Sequence, residues 1–145
     1  MRNLIFVPIL LLGLFYYQAC AQPRNAESIE SSGIQFFTGS WEEALALAEA
    51  EGKLIFMDAY AKWCGPCKIM SRNVFTDAKA GDFFNENFIN VKMDMERGEG
   101  PALAKKYRVR AYPTLFFIDH TGKVVNAELG YHKVSELIRL GKTVL

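Results

Sequence analysis

Trp63-Cys64-Gly65-Pro66-Cys67 is the stretch that decides how this chain is read. It follows an apolar run, Leu54-Ile55-Phe56-Met57, and an acid, Asp58. Two thiols at positions i and i+3 lie on one face of a helix's first turn. Their α-carbons are then about 5 Å apart, inside the roughly 4.4–6.8 Å that a disulfide spans. Pro66 is tolerated there, because a first-turn N–H would have no intrahelical partner anyway. Spacing and context predict a strand, a short loop, and a helix that opens on a dithiol.

The flanks fit that reading. Residues 54–57 are continuously apolar, the pattern of a strand covered on both faces. Upstream, Ser40-Trp41-Glu42-Glu43 has capping-box spacing and predicts a helix with Ala44, Leu45, Leu47 and Ala48 inward, ending near Gly52. Residues 34–37 are expected as an edge strand. Downstream, the dithiol helix continues through Ile69 and Met70, breaks around 74–77, and resumes behind a Thr76 or Asp77 cap. Residues 88–95 read as a strand, and Pro101 opens a short helix to Tyr107. A buried strand at 114–118, a tight turn at 119–122 and a return at 123–129 form a hairpin. A last amphipathic helix carries Val134, Leu137, Ile138 and Leu140. The order βαβαβαββα predicts an α/β layer fold with a mixed sheet.

With 145 residues, half of them apolar, the chain holds one domain and a real core without disulfide staples. Its net charge of +1 gives no basic excess, so nucleic acid is not an expected partner. Residues 1–21 read as a signal peptide: Arg2, an apolar run at 4–17, and an Ala19-Cys20-Ala21 cleavage pattern. An uncleaved membrane anchor and lipidation of Cys20 remain alternatives, although no aliphatic residue stands three positions before Cys20. Residues 22–33 are polar and small, a flexible linker, and 34–145 the folded domain. Cleavage after Ala21 leaves two of the three cysteines, both in the C-x-x-C. An exported compartment permits disulfides, and a lone C-x-x-C pair there points to redox chemistry rather than scaffolding.

A helix N-terminus favours an anion, and the thiolate is the nucleophile, so Cys64 is the expected attacking residue at an exposed loop edge. Cys67, one turn in, would resolve the mixed disulfide. Asp58 is either an acid at a strand's exposed end or a buried group of raised pKa that helps deprotonate Cys67. Lys92, in the neighbouring strand, is its candidate partner or a solvated strand lysine. Pro113, just before a buried strand, marks a strand start or an unusual peptide geometry.

Asp58, Trp63-Cys64-Gly65-Pro66-Cys67-Lys68, Tyr112-Pro113-Thr114 and Gly130 together resemble the thioredoxin-like superfamily over about residues 34–140. The fold so implied is the thioredoxin fold, a mixed central sheet flanked by helices on both faces. The resemblance implies a cis Pro113 facing the dithiol, with Trp63, Gly65, Pro66 and Lys92 supporting it. It also implies that the Tyr112 backbone, Pro113, Thr114 and Gly130 contact substrate. Glu51-Gly52-Lys53 and Val74-Phe75-Thr76-Asp77 are similar to exported members, such as the C-terminal domain of the membrane thiol-disulfide interchange protein. Tyr60 stands where thioredoxin usually has Trp, and Tyr112 is bulkier than the usual residue before the cis-proline. Both bear on substrate choice.

The expected activity is thiol-disulfide exchange in a periplasmic or other extracytoplasmic space, with protein thiols and disulfides as partners. Gly-Pro between the cysteines resembles the reducing members, which implies a membrane-borne electron donor. No cofactor beyond the redox-active Cys64–Cys67 pair is expected, and the protein is expected to be a monomer. The rival from another class is a binding module with an inert disulfide. Zinc would need His120 and His132, which read as a hairpin turn and a helix start, so no metal is expected. Haem attachment needs a His after the second Cys, where Lys68 stands.

Overall fold

The alternation of side chains along one strand organises the domain. The computed structural model describes residues 32–145. The expected signal peptide and nearly all of the expected linker lie outside the described residues. Strand β1 (Leu54–Tyr60) is central, with its five inner residues buried. Ile55, Met57 and Ala59 enter one core with Trp41, Ala44, Ala48 and Leu103. Phe56 enters the other, with Met70, Val74, Phe84 and Leu137. A period of two puts Asp58 and Tyr60 on the Phe56 side.

Helix α1 (Trp41–Glu51) covers the first face. Its capping box forms as the spacing predicts: Glu43 N donates to Ser40 Oγ at 3.2 Å, and Ser40 N donates to Glu43 Oε2 at 2.7 Å. Helices α2 (Gly65–Asn73) and α3 (Ala78–Asn87) follow β1. The break between them is capped by Asp77, whose Oδ1 accepts from Lys79 N and Ala80 N at 2.9 and 3.3 Å. After β2 (Phe88–Asp94) come α4 (Gly100–Lys106), β3 (Thr114–Ile118), β4 (Val124–Leu129) and α5 (Val134–Thr143).

The sheet order is β2-β1-β3-β4. β1 and β2 are parallel, and the β1–β3 and β3–β4 pairs are antiparallel. α1 and α4 contribute to one core, and α2, α3 and α5 to the other. This is the thioredoxin fold, a mixed sheet with helices on both faces. Phe56, Phe84, Phe88 and Phe117 stack through the second core, with centroids 4.6–5.4 Å apart for Phe56–Phe84, Phe84–Phe88 and Phe88–Phe117.

Residues 34–37 do not form the expected edge strand. Only Phe37 bridges to β2, opposite Val91. Two asparagine side chains take the place of a ladder: Gln35 N donates to Asn85 Oδ1 at 2.8 Å, and Asn90 Nδ2 donates to Gln35 O at 3.3 Å. Gly33, counted with the linker in the sequence, is buried, and Asn85 Nδ2 donates to its carbonyl at 3.0 Å. α3 crosses it at Gly81, where a Cβ would lie 2.5 Å from the Gly33 carbonyl group. No helix of the described residues is long and apolar enough to cross a membrane.

Candidate active site

Cys64 is the N-cap of α2 rather than a residue of its first turn. Its extended backbone ends the loop from β1, and its Sγ accepts from Cys67 N at 3.2 Å. The two cysteines form a disulfide with α-carbons 5.3 Å apart. Gly65 and Pro66 open the helix, and a Cβ on Gly65 would meet nothing within 4 Å. One backbone N–H thus points at Cys64 Sγ, the arrangement that favours negative charge on that sulfur.

Cys64 is not at an exposed edge. Both cysteines are 2% exposed, in a small cluster with Ala61 against which Tyr60 and Tyr112 pack. The Tyr112–Pro113 peptide is cis. Tyr112 meets Trp63 edge to face, with centroids 5.8 Å apart, and Trp63 Nε1 donates to both carboxylate oxygens of Glu96 at 3.0 Å. Trp63 stays 66% exposed, while Tyr60 and Tyr112 are the rings packed against the pair. Burial pushes the Tyr112 hydroxyl pKa up, and Glu96 and Asp94 add to it.

Asp58 is fully buried, and neither carboxylate oxygen has a hydrogen-bond partner among the described residues. It points to the sheet face that α2 covers. Burial raises its pKa to about 7, against a smaller lowering by the Lys92 ammonium. Lys92 is its register partner on β2. The ammonium donates not to Asp58 but to Ser71 Oγ, on α2 one turn past Cys67. It also lies 5.1 Å from the Tyr60 ring centroid and 5.6 Å from that of Phe75. Neither an acid at a strand's exposed end nor a solvated lysine describes this arrangement.

The other predicted residues separate. Gly130 N donates to the Pro113 carbonyl at 2.8 Å, which sets Gly130 beside the cis-proline at φ 96° with open space around it. Thr114 is buried on the other sheet face, and its hydroxyl donates to Ala111 O at 2.8 Å. It holds the turn before the proline and is not brought to the dithiol. Sequence reasoning missed Ser71 and Glu96. Ser71, four residues after Cys67, carries a helical-face signal. Glu96 has no local signal, because its contact is made across the loop after β2.

The chain matches the thioredoxin-like family model over residues 37–120. It belongs to the thioredoxin-like family. A thioredoxin from Echinococcus granulosus is 41% identical over 88 residues, covering 59% of this chain and 77% of that one. The thiol:disulfide interchange protein DsbD of Yersinia pestis is 33% identical over 82 residues, 56% of this chain. This chain spans only 14% of that protein's length. The solution structure of a candidate disulphide-isomerase from Bacteroides thetaiotaomicron superposes with a TM-score of 0.69 at 50% identity, covering 77% of this chain and 93% of that one. Thioredoxin-like disulfide oxidoreductases work through such a cysteine pair rather than a bound cofactor.

Proposed function

We propose that the protein is an exported thiol-disulfide oxidoreductase that reduces protein disulfides. One observation carries the reading: the Cys64–Cys67 disulfide caps α2 while Asp58, buried and unpartnered, stands on the sheet face behind that helix. In the reduced form the Cys64 thiolate, favoured by the helix N-terminus, attacks one sulfur of a substrate disulfide. A mixed disulfide forms, and the other substrate sulfur leaves as a thiolate. Cys67 gives its proton to the Asp58 carboxylate and attacks Cys64 Sγ. The Cys64–Cys67 bond closes, the second substrate thiolate leaves, and two electrons have passed to substrate. A donor dithiol then reduces the pair again.

An Asp58 pKa of about 7 keeps both of its forms populated near neutrality, which suits a group that accepts and returns a proton. Tyr112, the cis Pro113 and Gly130 form the wall against which an extended substrate segment lies. Trp63, Gly65 and Pro66 shape the opposite wall, and Lys92 tunes Asp58. Gly-Pro between the cysteines, which resembles the reducing members, supports the reductive direction, and the signal-peptide pattern of residues 1–21 supports export. The donor would be membrane-borne. The polar residues before Gly33 would tether the domain, and the domain would act as a monomer.

Insulin reduction by the reduced protein, beside Cys64→Ser, tests the activity. Wild type should turn over and the variant should not. Equal slow rates would leave an inert disulfide in a binding module. Equilibration against glutathione then reads the direction, with a potential well below the glutathione couple expected for a reductase. N-terminal sequencing of the secreted protein should begin at Gln22, whereas a blocked Cys20 would make it a lipoprotein.

A further inference from the structure

A cavity of about 270 Å³ opens beside Cys67, and neither Tyr112 nor Pro113 lines it. Its charged lining residues are Lys62 from the loop before α2, Lys68 and Arg72 from α2, and Lys92 from β2, with no acid among them. Tyr60 and Ala61 supply apolar wall, and Ser71 contributes its hydroxyl. None of the four cations pairs with a carboxylate among the described residues, where the ion pairs are Lys53–Glu51 and Arg97–Asp94. The acids near the dithiol lie outside the lining: Asp58 is buried across from Lys92, Glu96 holds Trp63, and Asp94 accepts from Glu96 N. In a chain with 17 basic and 16 acidic residues, four cations without an ion pair around one hollow are a local imbalance, offset only at Lys92 by the buried Asp58.

A cleft lined by one sign of charge focuses its field and concentrates the opposite charge. The hollow lies below the roughly 300–1,000 Å³ of small-molecule pockets, so it suits a side-chain-sized group rather than a whole cofactor. Apolar walls with a cationic rim fit an acid on an aliphatic stem. We propose that this cavity is a carboxylate subsite, which engages an acidic group of the thiol or disulfide that exchanges with Cys64–Cys67. The inference rests on the exchange activity proposed above and adds a substrate class: partners with a Glu, Asp or free carboxylate near the reacting sulfur. The carboxylate can come from a polypeptide or from a small acidic thiol, and the two enter the test separately.

Binding is read first, on the oxidised protein and without turnover. The probes are a cysteine-free Glu-rich peptide, its Gln counterpart, and S-methylglutathione, a small dicarboxylate that cannot exchange. Saturable amide shifts at Ala61, Cys67, Ser71 and Lys92 are expected with an acidic probe and not with the Gln peptide. A response to the Glu peptide alone assigns a polypeptide source, and a response to S-methylglutathione a small-molecule one. Exchange is read second, with disulfide peptides that differ only in Glu, Gln or Lys beside the cysteine. Wild type should prefer Glu to Lys by about tenfold in kcat/KM at low salt, the lower end of electrostatic steering, and lose the preference as salt rises. Lys62→Gln/Lys68→Gln/Arg72→Gln should abolish both binding and preference while leaving the Gln peptide's rate unchanged. Absence of shifts with every probe overturns the subsite whether or not the protein exchanges disulfides. Equal rates for Glu and Lys peptides, or a preference that survives in the triple variant, overturn it too. Binding without exchange of any peptide would contradict the activity instead.

Discussion

Lys92 stands directly across from Asp58 on the parallel neighbouring strand and gives its ammonium to Ser71 instead. The carboxyl is left without a hydrogen bond among the described residues, and burial decides its protonation. An ion pair there would hold Asp58 ionised at neutral pH. The observed arrangement holds it poised, with the cation near enough to oppose the burial but not to cancel it.

Asp58 makes stability depend on pH with a definite sign. Its folded pKa, about 7, lies above the ordinary 3.8, so the folded state keeps a proton that the unfolded state has released. Stability is therefore lost as pH rises from about 4 to about 7 and is level above that. Asp58→Asn has no such loss. In urea unfolding of the oxidised protein, the variant's advantage should grow by an amount on the order of 4 kcal/mol between about pH 4 and about pH 9. Parallel pH profiles for the two proteins would remove the buried carboxyl from the account.

Lys92→Gln removes the charge that opposes burial. The Asp58 pKa should then climb above its present value of about 7, seen as an upward move of the carboxyl ¹³C titration midpoint. An unchanged midpoint would mean that Lys92 has no electrostatic hold on Asp58. Resolution of the mixed disulfide should slow below the new midpoint, since less carboxylate is available to accept the Cys67 proton.

Much of this was legible in the sequence because it is local. The Ser40–Glu43 box, the apolar run of β1, the Asp77 cap and the strand at Thr114–Ile118 each depend on neighbours within a few residues, and each formed as read. Residues 34–37 failed as a strand because Asn85 and Asn90, some fifty residues away, bond their backbone. The site divides in the same way. The C-x-x-C, the acid before it and the proline could be named from spacing and resemblance. The 2% exposure of Cys64, the redirection of Lys92 to Ser71 and the facing of Thr114 away from the dithiol follow from strand register and ring packing. Those are long-range facts that no window of sequence contains.

Two glycines should respond in opposite ways to alanine. At Gly100 a Cβ would sit inside van der Waals contact of the Asp94 carbonyl oxygen and 2.7 Å from Met95 Cα, so Gly100→Ala should cost about 2–3 kcal/mol. At Gly65 nothing lies within 4 Å, and Gly65→Ala should stay within about 1 kcal/mol of wild type. Denaturant midpoints check both. A Gly65→Ala as destabilised as Gly100→Ala would contradict the open approach to the dithiol.

The central claim is that Cys64 attacks and Cys67 resolves, and trapping tests it most directly. Reduced Cys67→Ser is mixed with an unfolded disulfide-bonded protein, quenched in acid, and mapped by peptide mass spectrometry. A stable mixed disulfide at Cys64, with none accumulating in wild type, is the predicted result. A Cys64→Ser variant that traps substrate through Cys67 equally well, or a Cys67→Ser that traps nothing, would contradict the account.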